Sequence, residues 1–201
     1  MLHETTADHK LMPSLWEEDL RIALLAQAEG CPRCPGRLDR ADYPRKPRGG
    51  EGILDGKPDR RISLCCSREG CRRRVTPPSL VFLGRRVYLG IVVLRTCIRP
   101  GIEASARKGQ APKRTVNRWR SWFQTILPQT AFYQEARSRM MPPIEETATL
   151  PGALVERFAS GRTMERALTA TLRFLAPITT TSVADGARFV REACLHAELG
   201  A

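Results

Sequence analysis

Four of the seven cysteines stand in two pairs whose spacing is typical of a metal site. Cys31 and Cys34 belong to a CPxC turn, in which proline and glycine bend the backbone so that both thiolates face one point. Cys66 and Cys71 form the second pair, and 31 residues separate this pair from Cys34. Four thiolates complete the tetrahedral coordination of zinc and leave no open position for water. The sequence therefore predicts a structural Zn²⁺ ion, not a catalytic one.

The sequence leaves two adjacent cysteines, Cys65 and Cys66, as candidates for the third ligand. Cys65 and Cys66 point to opposite faces of a strand, so only one of them can bind the ion. Cys66 is favoured because it shares its face with Leu64 and Ile62, and Cys65 remains the alternative. The segment 31–78 around these ligands is poor in large apolar residues, so it needs an ion in place of an ordinary core.

Positive charge is concentrated in the middle of the chain, whose net charge is +12 overall. The section from Arg33 to Arg120 holds 23 of the 33 Lys and Arg residues and 7 of the 21 acids, so its net charge is +16, against −4 for the remainder. Such a field attracts polyanions, and each neutralised phosphate releases counterions. Double-stranded DNA is the predicted partner, and a solvated basic surface without a specific partner is the alternative.

Two basic segments lie close to the cysteines, and we expect both to contact phosphates. An arginine run follows Cys71 directly, so a bound ion would hold three guanidinium groups at one edge of the metal site. A second basic loop begins after Pro44 and can follow a phosphate backbone or a minor groove. The predicted contacts are Arg45, Lys46, Arg48, Arg72, Arg73 and Arg74.

A helix-turn-helix is predicted beyond the cysteines, with Ile102–Lys108 as its first helix and KRTVNRWRSWFQTIL, from Lys113, as its second. One face of the second helix is apolar and would dock on the domain, and the opposite face is polar and would read a major groove. An amphipathic helix with a purely structural role is the alternative. The apolar stripe consists of Val116, Trp119, Phe123 and Ile126. The predicted DNA contacts of this helix are Lys113, Arg114, Asn117, Arg118 and Ser121.

The elements that must position these sites are mainly helices. A helix is predicted between an N-cap at Ser14 and a stop at Gly30, residues 1–12 are polar and predicted to be loose, and Arg61–Cys65 alternates as a short strand. Further helices are predicted from about Arg86 and over 113–127, 130–139, 151–160, 162–175 and 183–198. The predicted units are an N-terminal helical segment (1–30), a zinc ribbon (31–78), a helix-turn-helix region (79–140) and a C-terminal helical bundle or docking segment (144–201). The fold class is mainly α with a small β zinc ribbon, followed by the helix-turn-helix and a C-terminal helical segment.

This combination resembles the N-terminal DNA-binding part of bacterial insertion-sequence transposases over residues 31–127. The resemblance rests on the two cysteine pairs, the arginines that follow them, and the RTVNRW segment from Arg114 to Trp119. It implies that the ribbon and the helix pair recognise the ends of a mobile element, while a separate nuclease domain cuts them. Only 74 residues follow Leu127, and their eight acids have no strand context in which to hold Mg²⁺. We therefore expect no enzymatic activity and no small-molecule substrate.

The expected function is that of a zinc-dependent, double-stranded DNA-binding protein, an accessory or regulatory protein of a mobile element without its own nuclease domain. The alternative is an interaction module that docks a transposase or self-associates through its C-terminal helices. No apolar run is long enough to span a membrane, and the N-terminus lacks the regions of a signal peptide. We expect a cytoplasmic, nucleoid-associated bacterial protein with reduced thiols and no membrane contact.

Overall fold

The computed structural model describes residues 2–45, 60–83, 88–98 and 111–180, and there the protein is mainly helical with a small antiparallel sheet. The helices are α1 (Leu2–Glu29), α2 (Gly90–Ile98), α3 (Lys113–Ser121), α4 (Ala131–Ser138), α5 (Gly152–Ala159) and α6 (Met164–Leu175). The strands are β1 (Leu38–Arg40), β2 (Tyr43–Pro44), β3 (Arg60–Arg61), β4 (Leu64–Cys66) and β5 (Arg74–Val75). The shorter turns are a π-helical segment (Trp122–Ile126) and two 3₁₀ helices (Leu127–Gln129 and Ala176–Thr179).

Helix α1 is longer than the sequence predicts. It begins at Leu2, so the prediction of a loose segment over residues 1–12 is wrong. Leu11 and Met12 are buried in the core, and their burial favours helix on both sides of Pro13. This tertiary contact outweighs the backbone hydrogen bond that a proline inside a helix removes.

The two ends predicted for this helix have different outcomes. Ser14 is not an N-cap, because its hydroxyl lies inside the helix and donates to the Leu11 carbonyl at 2.9 Å. The predicted stop is confirmed, since Gly30 directly follows the last helical residue and has a left-handed φ of +80°. A glycine adopts that conformation without steric strain, which makes it the usual residue at a helix C-terminus.

Strand β4 lies between β1 and β5 in an antiparallel three-stranded sheet. Leu38 lies opposite Cys66, and Leu64 lies opposite Val75, so these four side chains share one face. That face is buried and packs against Ala26 of α1, which forms a small core separate from the main one. The metal site is built beside this small core.

The predicted strand Arg61–Cys65 is wrong in its bounds, because the chain changes partners within it. β3 pairs with β2 in a two-stranded sheet, whereas β4 begins only at Leu64 and pairs with β1. Between them the Ser63 carbonyl accepts the Ala41 N–H at 2.8 Å, which keeps the backbone satisfied across the change. The alternation of apolar and polar residues in the sequence does not show at which residue a strand exchanges one neighbouring strand for another.

The helices pack around one larger hydrophobic core. α5 lies against α6, and α6 also contacts α1 and α2. The helices predicted over 130–139, 151–160 and 162–175 are present as α4, α5 and α6, with ends that differ by at most two residues. The helix predicted over 183–198 lies outside the described residues.

Helix α2 begins later than predicted. Arg86, the predicted start, is outside the described residues, and the helix itself starts at Gly90. Leu89 pairs with Phe82 in an isolated β-bridge, and the Gly90 N–H donates to the Val81 carbonyl at 2.8 Å. The extended pairing of these residues delays the helix.

The helix predicted over 113–127 is continuous but irregular. α3 gives way to the π-helical segment after Ser121, and a π turn takes in about one residue more than an α turn. The buried position therefore moves from Ile126, which is 51% exposed, to Leu127, which is fully buried. The rest of the predicted apolar stripe is confirmed, because Val116, Trp119 and Phe123 are buried.

A buried carboxylate joins α1 to the chain segment that connects the sheet with the helical core. Asp19 is 1% exposed, one of its oxygens accepts the Leu80 N–H at 2.6 Å, and the other accepts the Ser79 hydroxyl. Burial raises the pKa of Asp19 to about 6, although both hydrogen bonds and the positive charge of Arg61 lower it. The sheet and the helices are thus tied together at one ionisable group.

Asp19→Asn is expected to remove a pH dependence from the stability. The pKa of Asp19 in the folded protein lies above its ordinary value of 3.8, so the protonated form stabilises the fold below about pH 4. That stabilisation, about 3 kcal/mol, is lost as the pH rises through about 6. Urea unfolding from about pH 4 to 7 should therefore show the free energy of unfolding of the wild type falling relative to that of the variant.

Asp19→Ala is the control, because it removes the same titration but also leaves the Leu80 N–H without an acceptor, so its free energy of unfolding should lie about 1–3 kcal/mol below that of Asp19→Asn throughout this range. A constant difference between the wild type and Asp19→Asn over the same range would contradict the titration of Asp19.

Candidate metal centre

The structure brings four cysteine side chains to one point. The sulfur atoms of Cys31, Cys34, Cys66 and Cys71 all lie within 4.8 Å of one another. The Sγ atoms of Cys31 and Cys71 are 3.8 Å apart, and those of Cys34 and Cys66 are 3.6 Å apart. A disulfide bond is only about 2.05 Å long, and all four cysteines are free thiols.

A tetrahedron of thiolates around a single ion accounts for these distances. With a metal–sulfur bond of about 2.3 Å, neighbouring sulfur atoms in a regular tetrahedron are about 3.8 Å apart. The separations of 3.8 Å and 3.6 Å therefore match the edge of such a tetrahedron closely. The four cysteines form a site that can hold a metal ion, and all four positions of a tetrahedral ion would be filled by sulfur.

The CPxC turn supplies the first two sulfurs and prepares one of them for a metal. The Cys31 N–H donates to the Gly36 carbonyl at 3.0 Å and closes the turn. The backbone N–H of Arg33, helped by that of Cys34, donates to the Cys31 sulfur and lowers the pKa of Cys31 to about 7, although burial opposes this. The turn thus favours the thiolate, which is the form of cysteine that binds metals.

Cys66 stands at the end of β4, and its N–H donates to the Arg73 carbonyl at 2.9 Å. The Arg68 backbone N–H donates to its sulfur and lowers its pKa, but burial and the neighbouring thiols of Cys34, Cys31 and Cys71 together raise the pKa to about 12. Without a metal this sulfur keeps its proton. A binding ion must displace that proton, so metal affinity rises with pH.

Gly36 approaches the cluster so closely that no side chain fits there. A β-carbon at this position would lie 2.6 Å from the Cys66 sulfur and 3.2 Å from the Cys34 sulfur. The sequence indicates only a bend at this glycine. The close approach of its α-carbon to the sulfurs depends on how the second cysteine pair folds onto the first.

The choice between the two adjacent cysteines is settled by the fold. Cys66 belongs to the cluster, and Cys65 lies opposite Asp39 and Arg74 on the other face of the sheet. The Cys65 thiol donates to the Arg72 carbonyl at 3.6 Å instead of facing the other sulfurs. The prediction from strand alternation is confirmed.

The arginine run beside the cluster contains two different kinds of side chain. Arg72 and Arg73 are exposed. Arg74 is also exposed, but its guanidinium donates to the Ala41 carbonyl at 2.9 Å and to the Ser63 hydroxyl at 3.1 Å. Arg74 thus fastens β5 to the neighbouring chain, while no such bond holds the other two guanidinium groups in the described structure.

Tyr43 lies close to two arginines of the basic segments. The guanidinium carbon of Arg45 is 5.1 Å from the centre of the Tyr43 ring, and that of Arg74 is 5.8 Å away. Lys46 and Arg48, the other predicted contacts of this loop, lie outside the described residues. Sequence reasoning missed Tyr43, because the only signal was its place among basic residues.

The polar face of α3 is exposed, and its apolar face is docked. Tyr88 packs edge-to-face on Trp119 with ring centres 4.8 Å apart, and the Arg120 guanidinium donates to the Thr96 carbonyl of α2 at 3.1 Å. The predicted first helix, Ile102–Lys108, lies outside the described residues. The exposed residues of α3 include all five predicted DNA contacts: Lys113, Arg114, Asn117, Arg118 and Ser121.

Comparisons of the chain with protein-family models, with curated proteins and with solved structures find no match. The candidate metal centre therefore rests on its own geometry and on the chemistry of its donor atoms. Among the described residues, no helix combines the length and the apolar character that crossing a bilayer requires.

Cys71→Ser is expected to abolish stoichiometric metal binding and to unfold the sheet, because metal binding and folding are coupled where the apolar core is small. Cys65→Ser is the matched control, since it alters a neighbouring thiol outside the cluster. Elemental analysis and circular dichroism of both purified variants measure the effect. Equal metal content in the two variants would contradict the ligand assignment.

Gly36→Ala is expected to weaken metal binding by roughly tenfold or more, because the new methyl group pushes against two of the sulfurs. Competition with a chromophoric chelator measures the affinity. Gly152→Ala is the control, because the nearest atom to its β-carbon, Ile98 Cγ2, is 3.9 Å away in the helical core. Equal affinities in the two variants would show that the cluster tolerates a methyl group at Gly36.

Proposed function

We propose that the protein is a zinc-dependent, double-stranded DNA-binding protein. The observation that carries this proposal is the position of the exposed arginines Arg72 and Arg73 immediately after a four-thiolate cluster. A metal fixes the backbone at Cys71, so the charged groups that follow it are held in place without a hydrophobic core. The net charge of +16 in this part of the sequence gives such a surface a polyanionic partner.

Zinc is the ion we propose for the cluster. Tetrahedral sites built from four cysteines are typical of structural zinc, and zinc requires no redox partner. With every coordination position filled by sulfur, no water can be activated on the ion. Its role in this proposal is to hold the described residues of 31–45 and 60–75 in shape.

The arginines of this surface have separate tasks in the proposal. Arg72 and Arg73 contact phosphates, since arginine forms two hydrogen bonds to a phosphate group at once. Arg74 is a positioning residue, because its hydrogen bonds to Ala41 and Ser63 hold β5 in place. Arg45 contributes beside Tyr43, and Lys46 and Arg48, which follow it in the sequence, stay predicted phosphate contacts.

Helix α3 supplies the base contacts in this proposal. Its buried side carries Val116 and Trp119, and its polar side presents Arg114, Asn117 and Arg118 to solvent. Arginine pairs with the major-groove edge of guanine, and asparagine pairs with that of adenine. Lys113 and Ser121 lie at the two ends of the helix and hold the phosphates on either side of the groove.

We further propose that the protein serves a mobile element in the bacterial cytoplasm, as an accessory or regulatory factor that binds DNA without cutting it. The resemblance of residues 31–127 to insertion-sequence transposases supports this setting. The alternative role, docking through the C-terminal helices, has less support. Among the described residues of α6, Leu168, Leu172 and Phe174 are at most 2% exposed and belong to the core, and Met164 is the exposed exception at 57%.

The affinity for a DNA duplex is expected to fall steeply with salt, because phosphate contacts release counterions. A plot of log affinity against log salt should have a negative slope, and Arg73→Ala should make that slope shallower by about 1. Arg139→Ala is the matched control. Arg139 is also exposed, but it directly follows α4, where its guanidinium pairs with the Glu135 carboxylate at 2.5 Å. Fluorescence anisotropy with the zinc-loaded protein measures both slopes.

Affinity that does not change with salt would contradict the proposal, since it would mean that the basic section does not contact phosphates. Equal slopes for Arg73→Ala and Arg139→Ala would remove Arg73 from the contact surface.

A further inference from the structure

A cavity of about 280 Å³ opens beside α3, on the edge of the face that carries the proposed DNA contacts. Most of its surface is apolar, and among the described residues that line it Arg118 alone is charged. Sites for drug-sized ligands usually span roughly 300–1,000 Å³, so this cavity suits a smaller molecule or one flat group of a larger one. The lining residues are Leu83, Tyr88, Val93, Arg118, Trp119, Trp122, Phe123 and Ile178.

Aromatic rings form much of the wall, and they are held in fixed positions. Tyr88 packs edge-to-face on Trp119, and Trp122 packs edge-to-face on Phe123 with ring centres 5.1 Å apart. Trp119 and Phe123 are buried, whereas Trp122 is only half-buried. A rigid aromatic wall with one accessible indole is suited to stacking against another planar ring.

The backbone at this wall is irregular in a way that is common at binding sites. The π-helical segment begins at Trp122, and single π turns inside helices occur frequently at functional sites. Trp122, the first residue of this wider turn, lines the cavity beside the buried Phe123.

Charge leads to the mouth of the cavity along the same helix. Arg114, Arg118 and Trp122 follow one another at intervals of four residues, so they lie on one side of the helix. Arg114 and Arg118 are both exposed, and Arg118 also lines the cavity. A DNA strand that these arginines contact would have a neighbouring base close to the indole of Trp122.

We propose that this cavity receives one unpaired nucleobase of the bound DNA, stacked against Trp122, with Arg118 lying beside it. A base within a duplex is already stacked on its neighbours, so only an extruded, bulged or terminal base can enter. Stacking is tolerant of sequence because every base has a π-face. The proposal rests on the proposed DNA binding, and a free mononucleotide shares its chemistry of a planar base and a phosphate.

The test compares two short duplexes, one fully paired and one with a single bulged 2-aminopurine, binding to the zinc-loaded full chain at low salt. We expect the bulged duplex to bind about tenfold more tightly, with its 2-aminopurine fluorescence quenched by stacking. In Trp122→Ala the ratio of the two affinities should fall to about 1 and the quenching should disappear, whereas Trp122→Phe should keep most of both. Trp16→Phe, which changes a half-buried tryptophan of α1 outside the cavity, is the matched control, and circular dichroism together with zinc content verifies that each variant is folded.

Equal affinity for the two duplexes, or quenching that persists in Trp122→Ala, would overturn the cavity proposal while leaving duplex binding intact. Failure to bind either duplex would instead contradict the proposed function. In that case, titration with adenosine monophosphate tests whether the cavity binds a free nucleotide. Quenching of tryptophan fluorescence by this nucleotide, lost in Trp122→Ala, would establish a mononucleotide site, and the absence of quenching would overturn it.

Discussion

Four sulfur atoms take the place of a hydrophobic core in the part of the molecule between Cys31 and Val75. The apolar side chains buried there are few and small in total, and ordering this length of backbone opposes folding by far more than they can supply. Bringing Cys31 next to Cys71 closes a long loop of mostly polar and charged residues. Every exposed group on this segment, the arginine run included, therefore has a defined position only to the extent that the four sulfurs are held together.

The metal site was predictable from sequence because it depends on local chemistry. The CPxC turn is recognisable from the spacing of its two cysteines. The alternation of side chains along a strand correctly identified Cys66, and not Cys65, as the residue facing the other sulfurs. The close packing of Gly36 and the position of Tyr43 were not predictable in this way. Both arise where segments distant in the chain meet, and residue types alone do not report such meetings.

The helical part shows the same division between local and tertiary information. The helices α4, α5 and α6 followed from apolar periodicity, and the structure adds side-chain caps to two of them, since Thr130 and Thr163 accept the N–H groups of Tyr133 and Arg166. The early start of α1 and the shift from Ile126 to Leu127 did not follow from this periodicity. In both places the demand of the core for apolar side chains overrides a local rule: a proline that should end a helix, and a regular α-helical repeat.

Helix α1 belongs to both cores, because Leu15 is buried in the larger one and Ala26 in the smaller one. Helix α1 therefore connects the three-stranded sheet to the larger core, and the hydrogen bonds of Asp19 anchor this helix near its middle. Metal occupancy is consequently more than a local event. Losing the ion would release the end of α1 at Ala26, while Leu15 and Asp19 still hold this helix against the larger core, so the effect would reach the helical part through α1.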